Sequence, residues 1–324
     1  TSGDTGSAAI HGLQGKKWID VFMLHPKGMV SPIQELQMTT VLDPNIHNLA
    51  IEGTFDDAQS IVKELFRDNE FKRKYYLGSV NSINWARILA QIVYYFYAWF
   101  QLKKGITESV SFVVPTGNFG NVLAGYYAKH MGLPVHKLII GTNANDILHR
   151  FFTKGEYHRT WLRQTYSPSM DIQISSNFER YLFDLAGQSS DKLKLWMKDF
   201  EDTGKLTIKG NPLDNAQSEF VSASVSNRET VSTIRNFFQE TGYILDPHTA
   251  VGVCAAAKTN IQTPKICLAC AHHAKFAETI KKALGNQPEL PNELAILKNL
   301  ETNYKTVPAF TEKIRNEILQ RVRI

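Results

Sequence analysis

The stretch that most constrains this chain is Ser109–Asn143, "SVSFVVPTGNFGNVLAGYYAKHMGLPVHKLIIGTN". An apolar run of strand length meets a turn of small polar residues. A segment of helical period follows, and then a second apolar run. A strand, a glycine loop, a helix and another strand form a crossover unit, whose two strands lie parallel. Parallel strands bury both faces, so helices must cover the sheet on both sides.

The first hundred residues carry the same alternation. "SAAIHGL" opens a helix, and Ile19–Pro26 reads as a strand. "SPIQELQMTTV" reads as a helix with Ser31 as N-cap and Pro32 in its first turn. "HNLAIEG" is a second strand, and "FDDAQSIVKELFRD" a helix with Asp56 and Asp57 in its first turn. "YLGSV" reads as a third short strand before the loop "NSINWAR", and Ile88–Leu102 as a long buried helix. From Asp146 to Asn236 the pattern weakens into a polar, helix-rich stretch read as an insertion or substrate-side subdomain. "GYILDPHTAVGVCAAAK" and "PKICLACAHHAKFAETIKKAL" restore the strand-or-turn then helix pattern, and the last residues form an amphipathic helix. The expected organisation is two α/β domains with parallel or mixed sheets. The smaller spans residues 1–103, and the larger spans 104–324 with the insertion at 146–236.

Composition removes several classes. With 43% hydrophobic and 21% charged residues the chain is globular in character. A net charge of +5 is mild, the basic residues do not line up with aromatics, and nucleic acid is not an expected partner. The cluster Phe71–Tyr76 reads as a solvated helix end. Three cysteines, Cys254, Cys267 and Cys270, argue for a reducing compartment, hence the cytoplasm, and against a disulfide framework. The C-x-x-C of Cys267 and Cys270 sits in an apolar run read as a buried strand, and no second ligand pair completes a metal site. The longest apolar stretch falls short of the roughly 20 residues of a membrane span.

Two loops share one design. Thr1–Gly6 and Thr116–Asn121 place glycine and hydroxyl residues directly before a helix. A helix N-terminus presents unpaired N–H donors and positive partial charge, and glycine lets an anion come close. Each loop is therefore a seat for phosphate or carboxylate, or an ordinary cap with a tight turn. Neither is G-x-x-x-x-G-K-[ST], "GNFGN" is not G-x-G-x-x-G, and no G-x-S-x-G elbow occurs.

Five motifs in order, "TSGDTGSAAI", "SPIQELQMTT", "NSINWAR", "GNFGN" and "YILDPHTAVG", resemble threonine synthases, in particular their longer fungal-type branch. The resemblance runs along the whole chain. It implies the pyridoxal-phosphate (PLP) fold type II, that of the tryptophan-synthase β-like group. The implied reaction converts O-phospho-L-homoserine and water to L-threonine and phosphate. On this resemblance Gly117, Asn118, Phe119, Gly120 and Asn121 cradle the cofactor phosphate. Thr1, Ser2 and Thr5 with nearby backbone N–H groups receive the substrate carboxylate, while Asp4 orients or caps that loop. Asn81, Ser82 and Arg87 hold the substrate phosphate, for which a guanidinium fork is suited. Cys270 stands where the family has the hydroxyl partner of the pyridine nitrogen, and His273 replaces a proline in "CAHHAKF". From its surroundings alone Cys270 reads equally as a small buried cysteine. Asp246 and His248 lie either at the cofactor's edge or in an ordinary turn capped by Thr249.

The family's Schiff-base lysine lies in H-G-P-T-x-A-F-K-D, upstream of T-S-G-D-T-G, and that motif does not occur here. Lys198, Lys72 and Lys275 lack its context. The resemblance thus predicts an N-terminally incomplete chain, inactive alone by the family mechanism, and a monomer or homodimer. Two other classes stay open: a threonine-synthase-like phospho-lyase and a non-catalytic paralogue.

Overall fold

The computed structural model describes residues 1–324 apart from 2, 82–83, 103–108 and 324. Among the described residues the strands are β1 Val21–Pro26, β2 Ile46–Glu52, β3 Val110–Pro115, β4 Val135–Thr142, β5 Glu156–His158, β6 Lys205–Thr207, β7 Phe220–Ser224, β8 Lys265–Cys267 and β9 Lys305–Pro308. They divide between two compact units. One comprises residues 1–81 with 289–324, the other residues 82–288. The expected boundary at residue 103 is therefore corrected. The chain leaves the first unit within "NSINWAR", and its C-terminal segment returns to complete that unit's sheet.

The first unit is a parallel sheet in the order β1-β2-β9. Alternate residues of its strands face opposite ways. Val21 and Ile46 pack with Ile10 of helix α1 (Asp4–Leu13) and Met38 of helix α2 (Pro32–Thr39). Leu24, Leu49, Ile51 and Val307 instead pack with Ile61 and Leu65 of α3 (Phe55–Arg67), Phe71 of α4 (Asn69–Lys74), and Ile314 and Ile318 of the Thr311–Arg321 helix. Helices on both faces were expected from the alternation. The expected strand "YLGSV" is not one: residues 77–80 are irregular. The edge of β2 that such a strand would use is taken by β9, from the other end of the sequence.

The second unit is a parallel sheet in the order β7-β4-β3-β8. Every residue of β3 is buried. Helices α5 (Trp85–Leu102) and α6 (Gly120–His130) pack on each other, with Tyr95 so close to Gly125 that a Cβ there would lie 2.5 Å from its ring. α5 is amphipathic rather than buried all round. It buries Ile88, Ile92 and Tyr95 at helical spacing but exposes Leu89, Val93 and Tyr97. The stretch read as an insertion is likewise corrected. It supplies the edge strand β7, and Phe151, Phe152, Phe178, Tyr181, Phe200 and Phe220 join the same core as Phe112 and Phe119. Its own separate feature is the antiparallel pair β5–β6. β8 is short and only partly buried, so the "KICLAC" run is an edge strand and not a buried one. Among the described residues no helix is long and apolar enough to cross a membrane.

Candidate active site

In the second unit the glycine loop joins β3 to α6. Thr116, at its start, donates its N–H to the carbonyl of Gly141 (2.8 Å) and its hydroxyl to that of Val114 (2.7 Å). Phe119 sits at the N-cap of α6 with φ 61°, ψ −1°. This left-handed conformation costs a side-chain-bearing residue about 1–3 kcal/mol. Its ring is buried against Phe152, Phe178, Tyr181 and Phe220 at centroid distances of 6.0, 5.2, 5.7 and 6.1 Å. Burying such a ring gains about 1.5–3 kcal/mol, and each aromatic pair adds about 0.5–1.5. The core thus holds the backbone bent where α6 begins. Phe119 is an anchor of the loop, and its side chain faces the core.

The polar stretch at 165–177 grips this loop. Ser175 donates its hydroxyl to the Gly117 carbonyl (2.7 Å). Asn177 donates both its backbone N–H and its side-chain amide to the Asn118 carbonyl (3.1 Å each). Ser176 donates to Asn118 Oδ1 (3.3 Å). From the other side Tyr95 donates to the Asn121 carbonyl (2.7 Å); burial pushes this phenol well up, so it remains a donor. A Cβ on Gly117 would lie 3.2 Å from Met170 Cα and from the Ser169 carbonyl, so only glycine fits there without a shift. Asn143 and Thr165 both donate to Asp171 Oδ1 (2.7 and 2.6 Å) and fix the turn carrying Ser169.

β8 neighbours β3, so the loop after β8 emerges beside the glycine loop. Cys270 in it is exposed, which removes the reading as a small buried cysteine. Cys267 is the more enclosed thiol, pushed up to about 12 by burial and by Asp246. The two do not belong to a metal-ligand cluster among the described residues. The cap of the helix before β8, Pro247–Lys258, is Asp246 and not Thr249. Asp246 accepts from the backbone N–H groups of His248 (2.9 Å), Thr249 (3.3 Å) and Ala271 (3.3 Å). It also accepts from the Thr249 hydroxyl, which in turn accepts from the Cys270 N–H (3.0 Å). Burial raises the Asp246 pKa, but the hydrogen bonds from His248 and Thr249 outweigh it and hold the carboxyl below its usual range. His248 is bonded on both sides, Nδ1 to Asp246 (3.1 Å) and Nε2 to the Ser169 N–H (3.3 Å). An Nε2 that accepts puts the ring proton on Nδ1. The "DPHT" turn is thus a brace that ties the Cys270 loop to the segment over Gly117.

In the first unit the Thr1 hydroxyl oxygen accepts from the N–H groups of Gly3 (3.1 Å) and Gly6 (2.9 Å), so it shapes the loop. Gly3 has φ 128°, and a Cβ on it would lie 2.7–2.9 Å from the side chain of Gln34. Asp4 is the first residue of α1, where an acid suits the helix dipole, and Thr5 follows in the same turn. Gln34 is 1% exposed, and its Nε2 has no hydrogen-bond partner among the described residues. A buried donor left so costs about 1–3 kcal/mol. Asn81, whose N–H donates to Ser79 Oγ (3.4 Å), closes the first unit, and Arg87 lies in the first turn of α5 in the second. Partial burial lowers the Arg87 pKa, but a guanidinium stays charged. Ser2 and Ser82 lie outside the described residues.

Sequence reasoning missed Tyr95, Ser175, Ser176 and Asn177. The last three stand as "SSN" just before a helix, a cap-like cluster in a region otherwise read as insertion.

Known families share this arrangement. The pyridoxal-phosphate dependent enzyme family matches residues 1–195. With its parallel sheets and glycine loop, the chain thereby belongs to the PLP-dependent enzyme family and has the α/β architecture of fold type II. The family described as threonine synthase, C-terminal, matches residues 249–318. Threonine synthase of Schizosaccharomyces pombe is 49% identical over 88% of this chain and 61% of its own length. That of Pseudomonas aeruginosa is 47% identical over 99% of this chain and 69% of its own length. The crystal structure of PLP-bound threonine synthase from Brucella melitensis superposes with a TM-score of 0.92, at 45% identity over 100% of this chain and 70% of that one. The chain belongs to the threonine synthase family. It spans about three fifths of the length of the S. pombe relative.

The residues fit the cofactor this family implies. The loop carries no acid, its glycines sit where a Cβ would meet protein atoms, and a helix N-terminus stands behind it, as a phosphate requires.

Proposed function

We propose that this chain carries the cofactor-phosphate and substrate-binding parts of an enzyme converting O-phospho-L-homoserine and water to L-threonine and phosphate. The observation that carries the reading is the glycine loop itself, held at the N-terminus of α6 by Phe119 from the core and by Ser175 and Asn177 from the segment beside it. Together with the family membership it supports the assignment of Gly117, Asn118, Gly120 and Asn121 as the phosphate seat, Phe119 contributing through its backbone.

Electron withdrawal from the α-carbon of an amino acid is the chemistry pyridoxal phosphate supplies when bound. Everything else falls to side chains and backbone. The first N–H groups of α6 would hold the cofactor phosphate by hydrogen bonds at the positive end of the helix dipole. Cys270, with its backbone set by Thr249 and Asp246, would be the weak thiol partner of the pyridine nitrogen. The Thr1–Gly6 loop, with Ser2 and Thr5, orients the amino-acid carboxylate, and Asn81, Ser82 and Arg87 hold the leaving phosphate. No lysine of this chain is assigned the covalent role. The working compartment on this reading is the cytoplasm, supported by Cys254, Cys267 and Cys270 all being free thiols. The assembly is a monomer or homodimer.

Gly120→Asp tests the cofactor seat, because it puts an acid into the loop. Pyridoxal phosphate retention on gel filtration should fall at least tenfold, and full retention would overturn the assignment. With O-phospho-L-homoserine the holoenzyme should release phosphate and threonine in equal amounts. Formation of 2-oxobutyrate in place of threonine would convert the reading to a phospho-lyase.

A further inference from the structure

We propose that Gln34 is a substrate-binding residue whose side-chain amide donates to the carboxylate of the amino acid held at the N-terminus of α1. The inference deepens the reading of the Thr1–Gly6 loop as a carboxylate seat and rests on it. Three observations meet at this side chain. It is buried to 1% exposure on the first turn of α2. Its Nε2 would lie 2.9 Å from a Cβ on Gly3, the N-cap residue of α1, so the amide stands directly against the loop. And that Nε2 finds no acceptor among the described residues.

The orientation of the amide follows from Ser31. The Ser31 hydroxyl oxygen, as N-cap of α2, accepts from the Gln34 backbone N–H (3.4 Å), and its proton goes to Gln34 Oε1 (2.8 Å). Oε1 is therefore occupied, and the two N–H bonds of Nε2 are the group left to serve the loop. Gln34 thus offers a pre-set donor at a helix N-terminus, where the helix dipole favours an anion. A neutral amide adds a hydrogen bond without adding charge. It favours a carboxylate, which only accepts, over a primary amide, whose own N–H bonds would oppose it. Buried polar groups are seldom left unpaired, and a ligand contact accounts for this one.

The test uses the holoenzyme with Gln34→Met, which keeps shape and removes the donor, and Gln34→Glu, which adds an anion. Gln34→Met should raise KM for O-phospho-L-homoserine roughly ten- to a hundredfold, the loss expected for a hydrogen bond to a charged group. Inhibition by inorganic phosphate, which needs no carboxylate site, should stay within twofold. Gln34→Glu should lose more. Gly3→Asp is the control for the loop. If Gly3→Asp abolishes L-threonine binding while Gln34→Met leaves KM unchanged, the Gln34 inference is overturned and the loop reading stands. If both leave binding unchanged, the carboxylate seat itself is wrong. A measurement on the wild type covers the case in which a variant does not fold. On adding L-threonine the Gln34 side-chain NH2 resonance should shift together with the Gly3 and Gly6 amides. Shifts at the glycines with none at Gln34 would also overturn the proposal.

Discussion

The two loops proposed as anion seats look alike in sequence and differ in how protein groups support them. The glycine loop of the second unit is satisfied by protein. Its carbonyls at Gly117, Asn118 and Asn121 are bonded by Ser175, Asn177 and Tyr95, and Phe119 roots it in an aromatic core. The buried His248 beside it is bonded at both nitrogens. The first unit holds several buried polar atoms with no partner among the described residues, both nitrogens of His25, Nε2 of Gln34, Oε1 of Gln37 and Oδ1 of Asn48; the second holds Thr142 Oγ1 and His158 Nδ1, neither of them in the glycine loop. A site that must keep a cofactor through many turnovers is well served by a rigid seat. A site that binds and releases a substrate gains from donors whose partner is the substrate itself.

The comparison breaks most visibly at Phe119. Phe119→Ala should destabilise the second unit by about 3–5 kcal/mol, because it opens a cavity among rings and keeps the unfavourable backbone angle. Denaturant unfolding followed by tryptophan fluorescence measures it. A loss under 1 kcal/mol would mean the core does not hold the loop. The next effect lies in the first unit. Burial lowers the His25 pKa from 6.5 to about 4, so the folded chain refuses a proton that the unfolded chain takes up. Stability should therefore fall as the pH drops from 6.5 towards 4, by on the order of 2–3 kcal/mol, and level off below. His25→Leu should flatten that part of the profile, and an unchanged slope would assign the pH dependence elsewhere.

How much of this was legible beforehand follows from where each contact partner lies in the sequence. The β3–loop–α6 unit could be read because strand, turn and helix are consecutive and each carries its own period. The Ser31 cap could be read because capping is local: Ser31 and Gln34 are three residues apart. The third strand of the first unit could not, since β9 pairs with β2 from more than 250 residues away and its four residues have no distinctive pattern. The grip of Ser175 and Asn177 on the glycine loop spans nearly sixty positions, and small polar residues before a helix read first as a cap. The brace role of Asp246 was hidden for the same reason. Its cap bonds are local, but its bond to the Ala271 N–H is not.

Two smaller effects, of different size, separate the two units further. Asn177→Leu removes an amide that serves the Asn118 carbonyl, and should cost about 1–3 kcal/mol together with a measurable loss of pyridoxal phosphate affinity. Its counterpart is Gln34→Met. In the first unit the buried amide is unpaired on its Nε2 side, so replacing it with an apolar chain of similar length removes a desolvated donor and sacrifices only the bond from Ser31. Those two terms nearly cancel, and the unliganded stability should change by less than about 1 kcal/mol, in either direction. The same thermal melt repeated with saturating substrate separates binding from folding. Ligand should raise the melting temperature of the wild type more than that of Gln34→Met, because a ligand stabilises in proportion to its affinity for the native state. Equal ligand-induced shifts would place Gln34 with His248 and Asn177, among side chains that act only through other protein groups, and the difference between the two loops would then not extend to this residue.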